Sequence, residues 1–354
     1  MTDAGADSVS QIVSSYKNDR VKKYMFIAGI GALTIALIGI GLGIGKYHIS
    51  FLEVYSCIWD RFMGRGLDTV DMRVIWDQRM PRMITGIIVG AGLAAAGAAM
   101  QSMMKNPLAD PYTTGISSGV AFGATIAIAF RISEFGGQYS IVIFAFMFAL
   151  VPVLVILLLS TVKSATPAMM ILAGISVMYI FNALTSYIML TVDEQTMAAA
   201  YEWTVGSLSK ASWNTIPIMA GITIVGVVIL MFLSKFLNAL NSGDAFAKTL
   251  GINVNRIRIV TLLVVSLVAA GIVSFTGIIG FIGMVAPHIC RMFVGSDNRI
   301  LIPSSLMLGI AFIVFCDILA KVVTDIVVPI GIITAIFGGP LFLFLVIRQK
   351  KEVW

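Results

Sequence analysis

Residues 259 to 290 read IVTLLVVSLVAAGIVSFTGIIGFIGMVAPHIC, 32 positions without a formal charge. A helix needs about 20 residues to cross about 30 Å of hydrocarbon, so this run is too long for one crossing. Gly277, Gly280, Gly283 and Pro287 crowd its second half, which places a break between two helices at 274 to 280. Eight more apolar runs flank it: 25–45, 83–104, 111–130, 139–162, 164–192, 211–234, 300–316 and 326–347. With the long run split, the chain has ten spans. An even number puts both ends on one side of the membrane, and both ends are basic: Lys17, Arg20, Lys22 and Lys23 precede the first span, and Arg348, Lys350 and Lys351 follow the last. With both termini inside, 15 of the 24 Lys and Arg residues are cytoplasmic, as retention of basic loops requires. The first run starts after 24 residues and has no small-residue cleavage site, so it reads as a retained span.

The composition agrees. The chain is 354 residues long, 58% apolar and 12% charged, with mean hydropathy +0.97. Soluble domains carry about twice that charge, so a cytosolic enzyme, a nucleic-acid module and a disordered chain are excluded. The net charge of +6 marks orientation in the bilayer before it marks any nucleic-acid partner. Cys57, Cys290 and Cys316 have no disulfide or metal spacing, and His48 and His288 are the only histidines. No metal centre or cofactor is expected. The GxxxxGK[ST] loop that cradles nucleotide phosphates is absent as well.

Several segments carry chemistry. GISSG at 115–119 fits GxSxG, which would make Ser117 a nucleophile with His288 as base. The hydrolase elbow needs a preceding strand, however, and Gly115, Gly119 and Gly123 form the small-residue ridge used for close helix packing in lipid. KNPLADP, 105–111, is a polar turn made rigid by two prolines. Arg79 and Arg82 in RMPR present forked donors to solvent at the outer mouth of the second span. Asp317 and Lys321 stand four apart on one helix, as an ion pair or a functional pair. The outer segment 46–82 contains an amphipathic stretch, Phe51 to Phe62, suited to the membrane surface. In the inner segment 235–258, Asp244 opens a short helix, Phe246 and Leu250 share a face, and Gly251 stands at its end.

RMPRMITGIIVGAGLAAAGAAMQSMMKNPLADPYTTGISSGVAFGA, 79–124, resembles the signature of the iron-chelate, heme and cobalamin permeases, FecCD-type membrane subunits of type II ABC importers. TLGINVNRIR (249–258), GFIGMVAPHICRMFVGSDNR (280–299) and PIGIITAIFGGPLF (329–342) are similar to the same family's later blocks, in its order. The resemblance covers 25–347. It implies an all-α polytopic fold of ten transmembrane helices, one permease domain at 25–347 between cytoplasmic tails at 1–24 and 348–354, in a prokaryotic plasma membrane.

It further implies a homodimer with two P-loop ATPase subunits inside and an extracytoplasmic substrate-binding protein outside, importing a ferric siderophore, heme or cobalamin. The chain itself would not be an enzyme. By the resemblance, Arg79, Arg82 and Lys321 dock the binding protein. Asn106, Leu108 and Thr166 form the cytoplasmic gate, although Pro167 and Ala168 depart from the hydroxyl-rich pattern expected there. Asn182, Thr185 and Ser186 on the fifth span face the pathway, and Asp244, Phe246, Leu250 and Gly251 in a coupling segment at 238–255 meet the ATPase. The alternative is a carrier driven by an ion gradient through Asp317 or Asp325.

Overall fold

The computed structural model describes residues 3–45, 47–65, 69–137, 139–162, 164–210, 212–323 and 328–348. Lys46, Asp325, Lys350 and Lys351 lie outside them, as do the side chains of Lys17 and Arg348. Seven described helices are long and apolar enough to cross a membrane, and three shorter apolar ones accompany them. Together they match the ten expected spans. They are α1 (Asp3–Gly43), α2 (Val70–Met104), α3 (Ile116–Ala129), α4 (Ser140–Val162), α5 (Pro167–Met189), α6 (Ile216–Asn241), α7 (Val254–Thr276), α8 (Ile282–Val294), α9 (Asn298–Val322) and α10 (Ile330–Arg348).

The helix α2 is the hub, buried along most of its apolar length and packed against α6, α7, α8 and α9. Its run of Gly and Ala makes this possible, because small side chains let backbones approach in lipid, where no hydrophobic force drives helices together. A Cβ on Gly90 would meet the Gly309 carbonyl oxygen at 2.5 Å, and one on Gly97 would overlap the backbone of Gly283. The ridge Gly119 and Gly123 packs in the same way on the Phe148 and Phe144 carbonyls of α4. Helix α3 follows a 3-10 turn, Pro111–Thr114, and not a strand. The GISSG segment is therefore a packing surface, and the hydrolase elbow is missing.

The break in the long apolar run falls at the expected place. Helix α7 ends at Thr276, Gly277 takes φ +76°, and α8 begins at Ile282. Non-helical backbone at membrane depth must find hydrogen-bond partners within the protein. Here the Ile278 N–H donates to the Thr204 carbonyl and the Ile278 carbonyl accepts from Gly206. The Gly206 carbonyl accepts in turn from Gly331 at the start of α10. The segment between α7 and α8 is thereby laced to the stretch at Thr204–Gly206 and, through Gly206, to the start of α10.

Candidate functional sites at the two ends of the bundle

Arg82, where α2 resumes regular α-helix after Arg79, and Lys105 just past its end are 23 residues apart, which a helical rise converts to about 35 Å. The candidate residues gather at these two ends.

At the first end Asp317 is the centre. Its Oδ1 accepts from Arg82 Nε at 2.7 Å and its Oδ2 from Lys321 Nζ at 2.8 Å, with the carboxylate side chain only 3% exposed. Arg82 also donates to the Ser209 hydroxyl, and Lys321 to the Gly41 carbonyl. One carboxylate thus holds two cations from two helices. A cleft of about 440 Å³ opens beside them, lined also by Tyr47, Asp77, Gln78 and Ser209.

Arg79 corrects the sequence reading. Expected to face solvent together with Arg82, whose side chain is 13% exposed and turned to Asp317, it is itself 6% exposed. Its guanidinium donates to the carbonyls of Leu42, Gly43 and Tyr47, where α1 ends and leaves carbonyls without intrahelical partners. Arg79 ends a π-helical turn, Val74–Arg79, and the extra residue of such a turn re-aims the side chain inward.

At the other end a short helix, Asp244–Thr249, joins α6 to α7. Leu250 caps it and Gly251 follows at φ +76°, the left-handed conformation that glycine adopts without steric cost. Ala247 is buried, while Phe246 and Leu250 stand 49% and 57% exposed. Asp244 points back into the protein: its Oδ1 accepts from Lys105 Nζ at 2.8 Å and from Arg258 at 2.9 Å. Burial pushes the Asp244 carboxyl up, but the hydrogen bonds and charges of Lys105 and Arg258 outweigh it and hold the group below its ordinary range. Arg258 is buried and also donates to the Ala165 carbonyl just before α5. Lys105 and Arg258 escaped the sequence reading, because nothing local to KNPLADP or NRIR shows what either pairs with.

The gate candidates lie at the same end. The Asn106 side chain accepts from the Leu108 N–H at 2.9 Å, a closed turn that leaves Leu108 exposed. Thr166 caps α5 through its hydroxyl and, like Asp244 and Arg258, borders a cleft of about 530 Å³. Along α5, Asn182 and Ser186 are exposed and Thr185 is half-buried. With Ser176 and Tyr179, Asn182 and Ser186 form a polar stripe at helical spacing on an exposed face.

Asp110 stands in the turn between α2 and α3. Burial pushes its carboxyl up to about 6, only partly offset by the hydrogen bond from the Tyr112 N–H. The folded value exceeds the ordinary 3.8, so the folded protein holds this proton more tightly than the unfolded chain. Stability from this group is full below about pH 4 and falls by about 3 kcal/mol as pH rises through about 6. Asp110→Asn keeps an acceptor for Tyr112 and removes the buried charge. It should raise the melting temperature of the detergent-purified protein at pH 7.5 and lose that advantage at pH 4. Equal gains at both values would show that the carboxylate is not destabilised by burial.

Comparison with known proteins decides the family. The FecCD transport family model matches residues 33–348. The chain belongs to the FecCD transport family. An ABC transporter permease protein of Methanocaldococcus jannaschii is 40% identical over 97% of this chain and 99% of its own length. The molybdate import permease MolB of Haemophilus influenzae is 32% identical over 94% and 98%. A solved metal-chelate type ABC transporter in an inward-facing conformation superposes with a TM-score of 0.81, at 30% identity, over 91% of this chain and 99% of that one. This FecCD protein is therefore an ABC transporter permease, a multi-pass protein of a prokaryotic plasma membrane. The gradient-driven reading gives way, and Asp317, one of its two candidate carboxylates, is already held by two cations. Among the described residues no three His, Cys, Asp or Glu side chains are grouped to hold a metal ion.

Proposed function

We propose that this permease works as a homodimer that takes up a metal chelate, a ferric siderophore, heme or cobalamin, delivered by an extracytoplasmic binding protein and driven by a separate ATPase. The observation that carries the reading is the helix Asp244–Thr249, whose outward face offers Phe246 and Leu250 while Asp244 ties its inward face to α2 and α7. Such a helix can enter a groove on a partner and pass its displacement into the bundle. The Asp244 end is then cytoplasmic, and the Asp317 end faces the binding protein.

At that outer end Arg82 and Lys321, whose two charges Asp317 neutralises only by half, would attract an acidic knob of the binding protein across the cleft; Arg79 instead holds the end of α1. Leu108 would close the cytoplasmic gate against its symmetry mate, with Thr166 bordering it. The stripe of Ser176, Tyr179, Asn182 and Ser186 would line the pathway between two copies. MolB is named for molybdate, so the class of substrate extends to oxyanions within the family.

Co-expression with the P-loop ATPase and the binding protein tests the assembly. Leu250→Asp should weaken retention of the ATPase on the detergent-purified permease at least about tenfold, as loss of an apolar anchor does, and leave the permease dimer intact. Full retention would show that this helix does not meet the ATPase. Mass spectrometry of the ligand on the co-purified binding protein reads the substrate, and a ligand without an organic chelator, an oxyanion such as molybdate included, would overturn the chelate assignment.

A further inference from the structure

The helix Phe51–Phe62 takes no part in either candidate site, yet its surface is divided into three sectors. Ser50 caps it through a reciprocal pair of hydrogen bonds with Glu53, so the helix is specified locally. One sector, Val54, Cys57, Ile58 and Arg61, faces the protein: Val54 is fully buried, and the Arg61 guanidinium lies 5.6 Å from the centre of the Trp76 ring. A second sector is polar, with Glu53, Ser56 and Asp60 in the exposed or half-buried range. The third comprises Phe51, Leu52, Tyr55, Trp59, Phe62 and Met63, at a spacing that gathers them on an arc of about 120°. It is solvent-accessible throughout, with Leu52 84%, Phe62 73% and Trp59 61% exposed.

An apolar arc that large needs an occupant. Its position identifies one. A Cβ on Gly43 would run into the Phe51 ring, and one on Gly39 would meet the Tyr55 hydroxyl at 2.7 Å. The start of the helix therefore folds back along the last turns of α1, a membrane span whose own outward face carries exposed Leu33, Ile35 and Ile40. The aromatic arc continues that lipid-facing surface at the level where α1 leaves the hydrocarbon. Phe, Tyr and Trp mixed with Leu suit this depth, since the amphipathic rings settle where acyl chains meet headgroups.

We infer that Phe51–Phe62 is an interfacial anchor that lies in the outer leaflet of the bilayer with this arc in the lipid. Its charged residues include Glu53 and Asp60 and form no basic cluster, so aromatic burial and not attraction to anionic headgroups holds it. The anchor is joined to the substrate side. Trp76, which Arg61 covers, stacks on Trp213 at 5.1 Å and accepts that ring's N–H at its own carbonyl. Trp76 lies in the π-helical turn whose Val74, Asp77 and Gln78 line the outer cleft. Bilayer contact would thus fix the height of that cleft above the membrane.

The test uses the full chain, carrying Cys57→Ser and either Leu52→Cys or Asp60→Cys, each bearing a nitroxide, in phosphatidylcholine nanodiscs. Collision rates with dissolved oxygen, which concentrates in lipid, and with a water-soluble nickel chelate report the surroundings of each label. The ratio of oxygen to nickel collisions should be severalfold higher at 52 than at 60. Equal ratios would place the arc in water. Low collision with both reagents at 52 would mean that a protein covers it, and either result overturns the anchor.

Discussion

Asp317→Asn is expected to cost about 3–5 kcal/mol of folding stability, the loss found when one partner of a buried ion pair is removed. The carboxylate is 3% exposed and holds Arg82 and Lys321, whose side chains are 13% and 10% exposed. Asparagine is isosteric and still offers one acceptor, so the change isolates the charge. Two cations would then share a nearly dry site beside the cleft without a counter-ion. Chemical unfolding of the detergent-purified permease, followed by tryptophan fluorescence, measures the loss. A second variant separates charge from shape: Asp317→Leu combined with Arg82→Leu and Lys321→Met removes all three charges and should recover much of the stability, because replacing a buried ionic cluster with apolar groups is often neutral or better. Wild-type stability in Asp317→Asn would show that the cations are solvated and that the triad is only a surface ion pair.

Arg79 and Arg82 show where sequence reasoning stops. The spans were legible because lipid imposes length and apolarity on every crossing, and the break after Thr276 was legible because glycine clusters where helices end. The short helix Asp244–Thr249 was legible from Phe246, Leu250 and Gly251, all within six residues. Arg79 was not. Its burial depends on one extra residue in a π-helical turn and on carbonyls left open at Gly43, which lies 36 residues earlier. RMPR alone looks like a solvated mouth. The pairing of Asp244 with Lys105 was not legible for the related reason that the two stand 139 residues apart, on different helix ends. Periodicity reports which face of an element is apolar, but it does not report which two polar ends meet.

Asp244→Asn should separate ATP hydrolysis from import. One carboxylate oxygen takes both Lys105 at the end of α2 and Arg258 on α7, and Arg258 in turn holds the Ala165 carbonyl at the entrance to α5. If the ATPase moves Phe246 and Leu250, this ion-paired node is the path by which the motion reaches the hub helix and the turn bearing Leu108. Asparagine keeps the size of the side chain and weakens both charge-assisted bonds, each worth about 1.5–3 kcal/mol. With about 3 kcal/mol of coupling lost, uptake into proteoliposomes should fall about a hundredfold, while ATPase binding and basal hydrolysis persist because the outward face of the helix is untouched. Lys105→Ala and Asp244→Ala, singly and together, form the cycle that checks the mechanism. Their effects on uptake should be far from additive, since each removes the same link. Additive losses, or loss of hydrolysis in step with uptake, would show that Asp244 holds the helix in place without transmitting its motion.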